Sequence, residues 1–225
     1  MKKTSPLLLA LSGFIILFSF IFAKPFLASA ELVLDANGEP LQWFNNYYVS
    51  PHIWGPTGGG LSLGTLNNNS CPHYVTQEKF EVQRGLPIQF SPVFSRFIFV
   101  TTNTPLTIQT INETECTESL VWKLVKESTG LWLVSTNGTV SPGTEGIASR
   151  FVIESIGTSL PAYKIAFCPL TIPTSCKGLG RYFSDDGYGE TYLAWGDEIE
   201  PFPVVFFKET SLSATTSSQV IQTVA

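Results

Sequence analysis

Apolar and polar residues alternate in short runs along most of this chain. In Leu106-Thr107-Ile108-Gln109-Thr110-Ile111 the alternation sets Leu106, Ile108 and Thr110 on one face and Thr107, Gln109 and Ile111 on the other, the period of a β-strand. Comparable segments rich in Val, Ile, Thr and aromatics occur at residues 47–49, 87–90, 97–100, 106–111, 121–125, 131–135, 151–155, 163–167, 192–195 and 204–208, bounded by Gly, Pro, Asn or Ser. No long stretch carries a 3.6-residue period with caps. The pattern predicts an all-β chain of short strands, a barrel or a sandwich, with no internal sequence repeat evident. Gly55-Pro56-Thr57-Gly58-Gly59-Gly60 predicts a flexible loop and lacks the Lys-Ser/Thr ending of a phosphate cradle.

The pattern breaks at both ends. Lys2 and Lys3 precede an apolar run from Leu7 to Ala23, and the triplet Ala28-Ser29-Ala30 follows, the layout of a secretory signal cleaved after Ala30. The run approaches the ~20 apolar residues of a membrane span, so an uncleaved anchor is the competing reading; the small-residue triplet selects cleavage. From Glu209 the chain turns Ser/Thr-rich with little to bury, which predicts a frayed tail over 209–225. One domain is left over 31–208, an ordinary size for an all-β unit.

Composition narrows the function. The chain of 225 residues is 44% hydrophobic and 14% charged, which argues for a packed core and against disorder. Its net charge of -5 becomes -8 when Lys2, Lys3 and Lys24 leave with the signal, from 10 basic and 18 acidic residues. Such a chain offers no basic footprint for nucleic acid. The mature protein is expected to be a soluble monomer, secreted to the extracellular space or a vacuole, with no membrane attachment.

In a secreted chain the sequons at Asn68, Asn112 and Asn137 are candidate glycosylation sites. Cys71, Cys116, Cys168 and Cys176 form an even set, which in an oxidising compartment predicts two disulfides and no metal site; three pairings are open. His52 and His73 lie in no nucleophile–base–acid arrangement, and no cofactor is called for. Asp185-Asp186-Gly187 and Asp197-Glu198 read as solvated turns. Trp43, Trp54, Trp122, Trp132 and Trp195 read as core and hairpin packing in preference to a sugar-binding platform.

Val33-Leu34-Asp35-Ala36-Asn37-Gly38-Glu39-Pro40-Leu41, followed after five residues by Tyr47-Tyr48-Val49, resembles the N-terminal signature of the plant Kunitz family typified by soybean trypsin inhibitor. Tyr163-Lys164-Ile165-Ala166-Phe167-Cys168-Pro169 is similar to the family's strand into its short second disulfide. The resemblance spans roughly residues 31–208. It implies a β-trefoil, a six-stranded barrel closed at one end by three hairpins, with bridges Cys71–Cys116 and Cys168–Cys176. It also implies an inhibitor of serine proteases, not an enzyme, whose reactive loop is Ser91-Pro92-Val93-Phe94-Ser95-Arg96-Phe97.

A substrate-like inhibitor lays an extended segment along the protease cleft and gains affinity when that segment is already ordered. Pro92 fixes its own φ and biases Ser91 towards extended backbone. Alignment on Ser91-Pro92 puts the reactive bond between Phe94 and Ser95, so a chymotrypsin-like pocket is the first target. A register slip of two residues would present Arg96, with trypsin as the target. The competing reading buries Phe94 within the apolar run of Phe90, Val93, Phe97, Ile98 and Phe99. The family carries an asparagine two residues after the signature leucine that braces the loop; here Trp43 stands there, and an indole donates a hydrogen bond but accepts none. Asn45 and Asn46 are the nearby candidates for that bracing. Without it the chain would be a non-inhibitory storage, stress or partner-binding relative. A carbohydrate-binding trefoil built on the tryptophans is a third reading.

Overall fold

The computed structural model describes residues 30–53, 55–66, 69–94, 96–112, 116, 118–157, 160–169, 176–184 and 189–210. In chain order the strands are β1 (Asn46–Pro51), β2 (Leu61–Leu66), β3 (Asn69–Gln77), β4 (Ile88–Pro92), β5 (Leu106–Thr110), β6 (Lys123–Lys126), β7 (Trp132–Ser135), β8 (Phe151–Ser155), β9 (Tyr163–Phe167), β10 (Lys177–Gly178), β11 (Gly180–Phe183), β12 (Thr191–Trp195) and β13 (Val204–Lys208). A single 3₁₀ helix, Thr144–Ser149, precedes β8 among the described residues.

Six strands close a ring, β1–β4–β5–β8–β9–β13 and back to β1, each neighbour antiparallel. The period of two explains what fills it. Tyr47 and Val49, Ile88 and Phe90, Leu106 and Ile108, Phe151 and Ile153, Tyr163, Ile165 and Phe167, and Val204 and Phe206 are spaced two apart on their strands and join one buried cluster. The rings meet edge to face or tilted, with Phe90–Phe206 centroids at 5.5 Å and Tyr163–Phe206 at 5.7 Å.

Three hairpins, β2–β3, β6–β7 and β11–β12, form the second sheet. Their second strands meet in a triangle: Tyr192 pairs with Thr76, Ala194 with Leu133, and Tyr74 with Ser135. The chain therefore runs three times through barrel strand, hairpin and barrel strand, which is the β-trefoil. No sequence repeat announces this symmetry because the interior requires apolar bulk at alternate positions, which many residue types supply.

The N-terminal signature has a physical reason at most of its positions. Val33 and Leu41 are fully buried against the barrel. Asp35, also buried, accepts hydrogen bonds at Oδ1 from the amides of Asn37 (2.8 Å) and Glu39 (3.0 Å), which shapes a turn that Gly38 completes at φ +84°. The Tyr163 hydroxyl accepts the Leu34 amide and the Tyr47 hydroxyl accepts the Gln42 amide, both at 2.8 Å.

The strand expectations hold at nine of the ten segments. Residues 97–100 are the exception: only Phe99 bridges, to Gln42, because this stretch runs beside the N-terminal segment outside the barrel ladder. β2, β3, β10 and β11 were not legible, since Ser62, Gly64 and Thr65 or Gly178 and Gly180 carry little apolar signal and their pairing comes from the cap. The glycine run is not a uniformly flexible loop. Gly59 and Gly60 are buried and their amides donate to Glu78 and Gln83 carbonyls at 2.8 Å, and a Cβ at Gly60 would lie 2.0 Å from the Arg84 carbonyl oxygen. Arg181 closes over this loop, donating to the Thr57 carbonyl (2.9 Å) and lying between Phe183 and Phe202.

Trp122 is fully buried and donates to Thr110 Oγ1 (2.8 Å), and Trp132 meets Trp195 edge to face at 5.9 Å. Trp43 is buried as well, and Trp132 and Trp195, half-buried, pack against the same core cluster; Trp54 lies outside the described residues. At the tail, Glu209 is tied to β1 by Asn46 Nδ2 (2.8 Å) and the Tyr48 hydroxyl (3.1 Å).

Cys71 is bonded to Cys116 across a separation of 45 residues, and Cys168 to Cys176 across 8, the latter beside the β9–β10 pairing of Phe167 with Lys177. Loop-closure entropy predicts that removing the first bridge costs about 4 kcal/mol and the second about 2.5 kcal/mol. Urea midpoints of the paired Cys→Ser variants check the order. A second prediction concerns alkali. Burial, then the hydrogen bond to Glu127 (2.8 Å), push the Tyr74 hydroxyl well above its usual 10.0. Its protonated form is favoured in the fold, so this contribution is complete below pH 10 and declines as pH climbs beyond it. Tyr74→Phe loses about 1.5 kcal/mol at pH 7 and shows a flatter decline in stability above pH 10.

Candidate functional site

The loop that leaves the barrel after β4 is set by two anchored legs. On the entering leg Phe90 is fully buried, and Ser91 and Pro92 still pair with Thr107 and Leu106 of β5. Thr107 Oγ1 donates to the Ser91 carbonyl at 3.4 Å, and the Val93 amide reaches the Pro105 carbonyl at 3.4 Å. There the ladder ends. Pro92 brings no amide proton to extend it, and the next residues leave the sheet. On the returning leg the Ile98 carbonyl accepts the Trp43 amide (3.2 Å), Phe99 bridges Gln42, and fully buried Val100 donates to the Leu41 carbonyl (2.8 Å).

Between the legs the side chains face outward. Phe94 is 62% exposed, and Arg96, Phe97 and Ile98 are exposed too. Phe94 is thus exposed as the loop reading expects, and the competing reading that buries it inside an apolar run does not hold, while Val93 and Phe99 are half-buried. Ser95, the second residue of the expected reactive bond, lies outside the described residues.

A support that the sequence did not reveal comes from the segment before β8. The Arg150 guanidinium lies 5.6 Å from the centre of the Phe94 ring, a cation–π contact, and its Nη2 donates to the carbonyls of Ser141, Pro142 and Gly143. One side chain thus gathers a turn and backs the exposed ring. Sequence spacing offered no signal for it, because 56 positions separate Arg150 from Phe94.

The bracing position behaves differently from an asparagine. Trp43 is only 7% exposed and packs into the barrel cluster; its backbone amide holds Ile98, while its indole Nε1 is buried without an acceptor among the described residues. Asn45 donates to Gln42 Oε1 (3.0 Å) and Asn46 to Glu209, so these amides are engaged elsewhere. Away from the loop, His73 Nδ1 lies 3.2 Å from Cys116 Sγ beside the long bridge. Asp197 pairs with Lys177 at 2.8 Å, which holds its carboxyl below the usual range, in an exposed turn with Glu198. Asn112 and Asn137 are exposed; Asn68 and residues 185–188 lie outside the described residues.

The fold is thus a β-trefoil that anchors both legs of one apolar loop and leaves Phe94, Arg96, Phe97 and Ile98 exposed. The chain belongs to the Kunitz legume family: the model described as "Trypsin and protease inhibitor" matches residues 33–208. It is 36% identical to the 21 kDa seed protein of Theobroma cacao over 185 residues, covering 77% of this chain and 83% of that protein. It is 32% identical to the subtilisin inhibitor CLSI-II of Canavalia lineata over 190 residues, covering 84% and 97%. The crystal structure of a Kunitz type trypsin inhibitor from Cicer arietinum superposes with a TM-score of 0.67 at 32% identity, covering 80% of this chain and 99% of that one. The family description and the named Canavalia and Cicer relatives are those of protease inhibitors rather than enzymes.

Replacing Arg150 by Ala removes the support beneath Phe94 and frees three carbonyls. The expected outcome is a loss of about 1 kcal/mol of stability and faster cleavage after Phe94 by chymotrypsin, read by mass spectrometry of the nicked chain. Arg150→Lys should restore the ring contact but not the carbonyl fork.

Proposed function

We propose that the mature chain inhibits chymotrypsin-like serine proteases by occupying their active site through the Phe94 loop as a substrate would. The observation that carries this reading is the exposed Phe94 ring on a segment anchored at Phe90 and Val100. In a protease cleft the ring fills the hydrophobic specificity slot and the Phe94 carbonyl meets the nucleophile. The legs reduce the ordering cost of association. They also hold the new amine in place if the Phe94–Ser95 bond opens, which favours resealing over hydrolysis. On this reading residues 1–30 are a secretory signal, 31–208 the inhibitory domain and 209–225 a tail, with Asn68, Asn112 and Asn137 as glycan acceptors. The working form is a secreted monomer.

One observation favours a second reading. Trp43 cannot offer the accepting amide that braces the loop in the family pattern, and a poorly braced loop is cut. A non-inhibitory storage or partner-binding relative would be nicked by chymotrypsin at Phe94 without lasting inhibition.

Titration of chymotrypsin and trypsin with the mature protein separates the two. Stoichiometric loss of chymotrypsin activity is expected, with Phe94→Ala raising the inhibition constant by roughly a hundredfold and Phe94→Arg moving the preference to trypsin. Arg96→Ala should leave chymotrypsin inhibition intact. Rapid turnover of the loop, or no loss of activity with either enzyme, would sink the proposal.

A further inference from the structure

Three residues other than glycine hold positive φ among the described residues: Asn103, Asn137 and Phe44. Asparagine tolerates the left-handed region, but a bulky aromatic does so only against steric resistance. Phe44, at φ +65°, is nevertheless 63% exposed, so its ring gains little from burial. The backbone is held in place from both sides. Its amide donates to the Phe90 carbonyl (3.1 Å), and its carbonyl accepts Gln89 Nε2 (2.7 Å), which also reaches Asn46 Oδ1 (3.3 Å). The fold thus spends conformational strain to display a phenyl ring in solvent, an arrangement that is characteristic of functional positions.

The place of that ring gives it a partner. Phe44 follows Trp43, whose amide holds the returning leg at Ile98, and is itself bonded to the entering leg at Phe90. Trp43 and Phe44 together therefore tie the two legs at the base of the Phe94 loop, and the Phe44 ring, like Phe94 and Ile98, is exposed. We propose that Phe44 is a second apolar contact with the protease held by Phe94, gripping the rim of the cleft outside the specificity slot. This rests on the inhibitory reading above. It assigns to a strained residue at the loop base a share of affinity for enzymes with an apolar cleft rim.

The test uses opposite signs. Phe44→Gly and Phe44→Asn both accept the local backbone and remove the ring. Titration against chymotrypsin alongside the wild-type protein, with thermal unfolding in parallel, should show midpoints raised by roughly 2–4 °C and inhibition constants raised at least about tenfold. A purely structural ring would lower the midpoints of both variants, and that result overturns the proposal. Inhibition constants equal to wild type also overturn it and leave the Phe94 reading standing. A wild-type protein that does not inhibit overturns both, and the Phe94→Ala comparison identifies that case.

Discussion

Phe90 lies fully buried with Tyr47 at 6.1 Å and Phe206 at 5.5 Å, and the packing of that ring decides where the barrel lets the chain go. Side chains on a strand alternate, so an inward Phe90 fixes the register of β4 against β5 through Pro92 and Leu106. The ladder cannot continue through proline on its own donor side. The chain is released there and returns to the interior at Val100, which leaves a short arch of backbone fixed at both ends. A shift of one residue would exchange the inward and outward sets, burying the arch and exposing the core. The loop is therefore a consequence of barrel packing, and both its anchors, Phe90 and Val100, belong to the fully buried core.

The supports of the arch come from three distant parts of the chain. The N-terminal segment contributes the Trp43 and Phe44 amides, β5 contributes the Thr107 hydroxyl and the turn before it the Pro105 carbonyl, and the segment before β8 contributes Arg150. Trefoil symmetry explains their convergence, since each unit returns its strands to the same barrel end. At Trp43, where the family resemblance expects an asparagine, the indole is buried and the backbone amide bonds Ile98, while Arg150 lies against the Phe94 ring.

The N-terminal signature was legible because it is local. Asp35, Gly38 and Leu41 act within a few residues of one another, and a turn acceptor, a left-handed glycine and a buried leucine each leave a type-specific mark. The alternating barrel strands were legible for the same reason. β2, β3, β10 and β11 were not, because their pairing is dictated by the cap and their own residues carry weak apolar patterns. Residues 97–100 misled because high β-propensity says that a segment suits extended backbone, while a ladder also needs a neighbour.

Sequence alone determined the alternation that demands an all-β core, the residues of the signature turn and the apolar character of the segment around Phe94. It could not decide which of those aromatics would be inside, since Phe90, Phe94 and Phe97 are chemically the same. Tertiary structure made that choice by closing the ring of six strands: Phe90 is enclosed and Phe94, past the end of the ladder, is left exposed, and closure brings Arg150 and Phe44 to the loop across distances along the chain that no local pattern can encode.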